Sequence, residues 1–385
     1  MRSRKFPEEI SEAHQDILDA FYGGFSVAGF LQVDPEPLIP RTDDSVIFTN
    51  ATITSLKPLI SNRAVPVPGV FLIQPCLRVQ NIAKADQGGD LAYMSYFKMP
   101  GVLGHPDSLD ALCAAASKFF FQRLGIDPND FIIRANDECG YLARVWQAHC
   151  PCAGIEWDSR PSRYYRWTYG MPGVDGIGFT FAIKHGQAPY EDCGNLVAMR
   201  LNGEVVGYEF GVGLETMIAR MHGLSSPFEA ALISALLPFH NSFESKMLQD
   251  CIVVASVLLR MGIRPGTGRA RYIAKRVVAT LYDSMKRLEL GTEELVRIVD
   301  EFEMKEFGSE TNLGDTVQKT LEAFEDAIRK RAVTFEDVAR GRFHLATKRG
   351  LVLDLIQLQK LRDQGLVEYR LNSNTAEAIL SKYRD

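Results

Sequence analysis

The chain lacks the marks of several protein classes. No N-terminal run joins a basic stretch to an apolar one, and no apolar stretch is long enough to span a bilayer, so neither a leader nor a membrane partner is expected. Cysteine is sparse and odd in number, seven in 385 residues. A disulfide framework is not expected from such a set, whereas reduced thiols in a cytoplasmic protein are. His149, Cys150 and Cys152 form the one close cluster, and no second ligand pair stands near it at zinc spacing. A basic excess is missing too. Lys+Arg of 43 against Asp+Glu of 48 gives a formal net charge of -5, which argues against a surface that coats nucleic acid but leaves room for a local basic groove. What is present, 46% hydrophobic and 24% charged residues, is ordinary globular composition in a length that suits two domains.

The most informative stretch runs from Phe71 to Asp107. FLIQPCLRVQNI reads as an apolar strand ending in Arg78, and LAYMSYFKMPG reads as a returning strand that carries Phe97. The polar, glycine-bearing segment Val79 to Asp90 suits the loop of a long antiparallel hairpin. A guanidinium beside a flat ring is an anion clamp beside a stacking surface, as a nucleotide phosphate and its base require. An ordinary hairpin with a surface arginine and a core phenylalanine is the plain alternative.

Elsewhere the spacing predicts helices over Ser11–Gly24 and Leu109–Leu124, a strand over Phe131–Ala135, and a helix opened by Asp137 and Glu138. Tyr164 to Gly186 is rich in glycine, which permits close backbone approach, and Trp167 within it suits either a pocket wall or a core position beside a flexible loop. Two strands, Asn195–Leu201 and Glu204–Phe210, flank Asn202-Gly203, a strong hairpin signal. Gly211-Val212-Gly213 then opens a helix whose free N–H groups suit an anion. From Ser225 onward the pattern is helical, and it includes a basic run of Arg269, Arg271, Lys275 and Arg276.

In order along the chain, these stretches resemble the class II aminoacyl-tRNA synthetases, specifically the alanyl type. Gln74, Cys76, Arg78, Phe97, Met99, Gly101 and Asp107 match the family's motif 2. Leu38, Pro40, Asp43, Phe48, Thr49, Asn50, Ala51 and Lys57 match the region of motif 1. Asp192, Asn195, Gly211, Gly213, Leu214 and Glu215 match motif 3 and the segment before it, and Trp167, Gly170, Gly173 and Gly176 match the glycine-rich stretch. In the helical part Asp250, Gly262, Pro265, Tyr272, Arg276, Gly350, Asp354 and Leu355 fall in register. The departures are Lys98 and Thr180 for glutamates, Lys184 and Glu209 for aspartates, Thr216 for the motif 3 arginine, and Thr267 for an asparagine that reads tRNA.

The resemblance implies an α+β fold: an antiparallel sheet flanked by helices over residues 1–224, then an α-helical domain over 225–385 like the family's tRNA-recognition domain. The family's editing and C-terminal oligomerisation regions are expected to be absent. It implies ATP and Mg2+, with Arg78 on the α-phosphate, Phe97 under the adenine, and Met99, Gly213 and Arg220 completing the nucleotide site, Arg220 standing in for Thr216. Asp192 would hold the metal. Glu209 and Asn195 would take the substrate ammonium, while Trp167 and Gly211 limit its side chain to a small one, alanine favoured. Arg269, Arg271, Lys275, Arg276 and Asp354 would touch the acceptor or RNA. The activity so implied is amino-acid activation with transfer to a non-tRNA acceptor in specialised metabolism. Shortened tRNA charging and a catalytically inactive binding subunit are the alternatives.

Overall fold

A 22-residue helix, α1 (Phe6–Val27), opens with a buried apolar stripe of Ile10, Ile17, Phe21 and Phe25, spaced so that they share one face. In this computed structural model residues 6–331 are described, apart from 42, 86, 87, 159–161, 238 and 239. After α1 come β1 (Leu31–Gln32), α2 (Thr52–Ser61), β2 (Gly69–Leu77), the short α3 (Gln80–Lys84) and β3 (Tyr96–Gly104). Next are α4 (Leu109–Ser117), β4 (Phe131–Ala135), α5 (Gly140–His149), β5 (Gly154–Trp157), β6 (Arg166–Thr168) and β7 (Val174–Ile183). β8 (Glu191–Leu201), β9 (Glu204–Val212) and α6 (Leu214–Met221) complete the sheet region. The remaining described elements are the helices α7 (Phe243–Arg260), α8 (Arg269–Arg287), α9 (Thr292–Phe307) and α10 (Leu313–Arg331), with short 3-10 turns before them.

The nine strands form one sheet in the order β1-β2-β3-β9-β8-β7-β4-β5, with β6 paired to β7. Its centre is antiparallel, and the edge pairs β1–β2 and β4–β5 are parallel. The expected hairpins are present. Gly69 to Leu77 pairs with Gly104 to Tyr96, and β8 pairs with β9 around Asn202 and Gly203, whose φ values of 53° and 88° are the positive ones a tight hairpin turn demands.

Some expectations shift. The loop after Arg78 contains α3, because Asn81 and Ile82 are buried and give that turn something to pack on. The helix expected over Leu109–Leu124 changes to a π-helical turn at Lys118–Arg123. The glycine-rich stretch holds a strand: Val174 to Ile183 is ten residues long, and its Ile177, Phe179, Phe181 and Ile183 alternate into the core.

The two sheet faces differ. One packs α1, α4, α5 and α6 through a cluster that includes Phe21, Phe71, Phe120, Phe181, Trp146 and Phe210. The other packs α2 through a smaller aliphatic cluster that includes Ile53, Leu56, Ile60, Leu72, Leu103 and Val197. By contact the chain divides into Met1–Val317 and Gln318–Asp385, so α7 to α9 share a unit with the sheet, while the change from strands to helices comes after Val212. α7 is buried from Ser245 through Leu259, as a central helix must be if it is apolar all round. No helix among the described residues is long and apolar enough to cross a membrane.

Candidate functional site

Strand alternation decides what the sheet offers to its α2 side. Cys76 pairs with Phe97 and Gln74 with Met99, so Phe97 and Met99 share a face. Thr180 pairs with Asn195 and Asn195 with Gly211, which carries the same face across β7, β8 and β9. At the end of this face lies a cleft of about 550 Å³. Arg78, Phe97, Met99, Gly211, Gly213, Asp192, Asn195 and Trp167 are among the residues that line it. Residues separated by as much as 135 positions in the chain thus meet in one place.

Arg78 and Phe97 are already in contact. The Arg78 Nε donates to the Asn50 carbonyl at 2.8 Å, and its guanidinium lies 4.9 Å from the centroid of the Phe97 ring. Arg78 therefore stands over the stacking surface with its remaining donors open to solvent. Gln74 is structural rather than chemical: its amide donates to the Glu36 carbonyl at 2.8 Å and accepts from the Glu36 N–H at 3.0 Å and from Ser55.

Glu209 is buried on the same face of β9 as Gly211, but it is not among the residues that line the cleft. Tyr169 Oη donates to its Oε2 at 2.9 Å. Burial raises the carboxyl above its ordinary value, while Tyr169, Arg78 and Thr52 pull it back. The Thr180 hydroxyl, expected as a departure, lines the cleft and donates to Asn195 Oδ1 at 3.0 Å.

Asp192 is engaged at both oxygens. Arg134 Nη1 donates to Oδ1 and Tyr164 Oη to Oδ2, each at 2.5 Å. A cation there would share the carboxylate with the Arg134 guanidinium, whose positive charge opposes it. Among the described residues no three His, Cys, Asp or Glu side chains gather to hold a metal. The residues present therefore do not fit a protein-held Mg2+.

Other expected members stand elsewhere. Arg220 does not line the cleft in place of Thr216: its guanidinium pairs with Glu191 at 2.9 Å, whereas Thr216 itself is a lining residue. Lys98 points to the opposite sheet face from Phe97 and pairs with Glu306 at 2.9 Å, so this departure puts no extra charge in the cleft. Arg276 turns inward and donates to the Ile82 carbonyl at 3.1 Å, while Arg269, Arg271 and Lys275 are exposed on α8. Asp354 lies outside the described residues.

Two carboxyls that fall in register with the family have surroundings that the sequence does not reveal. Glu215, a cleft-lining carboxyl that is 8% exposed, is pushed up to about 8 by burial. Asp250 in α7 is fully buried and accepts from the Ser95 N–H at 2.7 Å, the Ser95 hydroxyl at 2.5 Å and Asn81 Nδ2 at 3.1 Å. Burial pushes this carboxyl up to about 6 against those donors. Lys246 of α7 adds a 2.9 Å ion pair to Asp90. The helices thus anchor the hairpin loop, which brings Asn81 and Lys84 to the cleft wall.

Comparison with known proteins agrees with this geometry. Residues 16–157 match the family model described as tRNA synthetases class II (A). The chain is 23% identical to the alanine–tRNA ligase of Acidithiobacillus ferridurans over 89% of its own length and 46% of that protein. It is 21% identical to the alanine–tRNA ligase of Thermobifida fusca (strain YX), over 96% of itself and 48% of that protein. It thus spans about half the length of the curated relatives it matches. Among solved structures, asparaginyl-tRNA synthetase from Pyrococcus horikoshii overlaps 59% of this chain and 67% of its own, with a TM-score of 0.37 at 11% identity. The chain is thus similar to class II aminoacyl-tRNA synthetases over residues 16–157, and to alanine–tRNA ligases over most of its own length.

Proposed function

We propose that the chain activates a small amino acid, alanine favoured, by forming an aminoacyl-adenylate from ATP in the cleft between β3, β7, β8 and α6. The observation that carries this reading is the Arg78 guanidinium, 4.9 Å from the Phe97 ring in the same cleft as Trp167 and Asn195. In the reaction a carboxylate oxygen of the amino acid attacks the α-phosphorus, the bond to the bridging oxygen breaks, and pyrophosphate leaves. Such a step is accelerated chiefly by positioning and by neutralising phosphoryl charge. Arg78 supplies the fixed cation, since its planar fork suits both an α-phosphate oxygen and a carboxylate. Phe97 stacks the base. Glu209 and Asn195 take the ammonium, and Trp167 closes the space for the side chain. Mg2+ enters with the nucleotide, on its phosphates.

For the acceptor, the first reading is a non-tRNA molecule in specialised metabolism. Thr267 in place of an asparagine and the inward commitment of Arg276 support it. The second reading is tRNA charging, favoured by the exposed Arg269, Arg271 and Lys275 and by relatives named alanine–tRNA ligases. The site of action in either case is the cytoplasm.

Mass-spectrometric detection of aminoacyl-adenylate over an amino-acid panel, with and without tRNA, tests the reading. Adenylate that persists when tRNA is added supports a small-molecule acceptor, and adenylate consumed into charged tRNA supports the second reading. ATP binding with no adenylate from any amino acid would overturn both. It would leave a non-catalytic binding subunit, the outcome that Thr216 in the cleft anticipates.

A further inference from the structure

Two side chains reach the Glu209 carboxyl from opposite sides, and each lies against a glycine of the sheet. Tyr169 Oη donates to Oε2 at 2.9 Å, and a Cβ on Gly176 would stand 2.8 Å from that same hydroxyl. Thr52 lies over Gly101, where a Cβ would come within 2.5 Å of its methyl. No side chain fits in either place without moving the donor. The Thr52 hydroxyl is 3.8 Å from the Met99 sulfur and also within reach of the Glu209 carboxyl, and a thioether is much the weaker acceptor.

We infer that Tyr169 is a positioning residue for amino-acid selection: its phenol fixes one oxygen of Glu209 and so aims the other at the substrate ammonium. This rests on the proposed activation of an amino acid in the cleft.

The charges around the pair agree with that assignment. Facing Glu209 are Tyr169 from the turn after β6, Thr52 from α2 and Arg78 from the end of β2, with Asp175 beyond Tyr169. Burial is the chief force raising the Glu209 carboxyl, and the Tyr169 hydrogen bond is the first that opposes it. The tyrosine is itself raised well above its ordinary value by burial and by Glu209, so it remains a proton donor. A hydrogen bond to a charged group is among the stronger ones, and its loss leaves a buried acceptor short of a partner.

The test is Tyr169→Phe, which keeps the ring over Gly176 and removes only the donor. In amino-acid-dependent adenylate formation, the KM for the amino acid should rise ~10-fold or more while the KM for ATP holds. The acid limb of the rate profile should move to higher pH, because Glu209 then takes up its proton more readily. A merely structural tyrosine would leave both KM values and that limb in place, and such a result overturns the inference even if the protein activates its amino acid normally. The second measurement needs no turnover. With its folded pKa above its unfolded one, Glu209 lowers stability as pH rises through that window. Thermal unfolding across pH should show this loss extending to higher pH in Tyr169→Phe than in the parent. Superimposable profiles would overturn the inference, whereas failure of the parent to activate any amino acid would instead remove the reading on which it rests.

Discussion

The two faces of the central sheet are built on opposite plans. Toward α1, α4, α5 and α6 the strands present phenylalanines that touch one another in series, with Phe21, Phe119, Phe120 and Phe181 all meeting Phe210 at ring-centroid distances of 5.6 to 6.5 Å. Toward α2 and the cleft the same strands present Glu209, Asn195, Thr180, Gly211 and Gly176. On the aromatic face each ring has several partners, so stability is shared. On the cleft face single hydrogen bonds fix single groups, so each side chain has its own job. The contrast assigns fold to one side of a strand and chemistry to the other, one residue apart.

That comparison is sharpest where neighbouring residues are changed. Arg78→Ala should produce the largest effect, loss of adenylate formation by ~100-fold or more with unchanged thermal stability, since an exposed strand-end arginine contributes little to folding. Turnover and unfolding temperature measured on the same sample would check it, and a variant that turns over normally would break the comparison. Phe210→Ala should do the reverse. Removing a ring at 0% exposure costs ~3–5 kcal/mol of stability, visible in denaturant unfolding, although Glu209 and Gly211 on either side keep their places. Phe97→Ala falls between: the KM for ATP should rise by an amount equivalent to ~1–3 kcal/mol of lost stacking, with the amino-acid KM little changed. The smallest effect lies outside the sheet. Neutralising Arg269, Arg271 and Lys275 together should flatten the salt dependence of any RNA binding by about 0.7–0.9 log units per lost phosphate contact, and leave adenylate formation untouched.

How much of this could be read beforehand follows from the same physics. Hairpins and helices announced themselves because strand alternation, Asn202-Gly203 and amphipathic spacing are local. Cleft residues were found through order along the chain, Arg78 and Phe97 first. The partners that hold them were not legible, because nothing near Asp250 in sequence indicates that its carboxyl meets Ser95, 155 positions away. Nor does Gly176 advertise that its missing side chain makes room for Tyr169. The glycine-rich stretch gave no strand signal of its own because glycine weakens a strand locally, and ten residues of pairing with β8 overrode that preference. Arg276 read as an outward cation because its neighbours are, and its inward turn depends on a carbonyl in a distant loop. Local chemistry is legible in one dimension. Long-range support is not.

The central claim is that the polar face of this sheet activates an amino acid. Amino-acid-dependent ATP–pyrophosphate exchange by the parent protein tests it most directly. The account predicts exchange stimulated by alanine or another small amino acid, without any requirement for tRNA. Exchange stimulated only by a large or charged amino acid, or no stimulation by any, would contradict it.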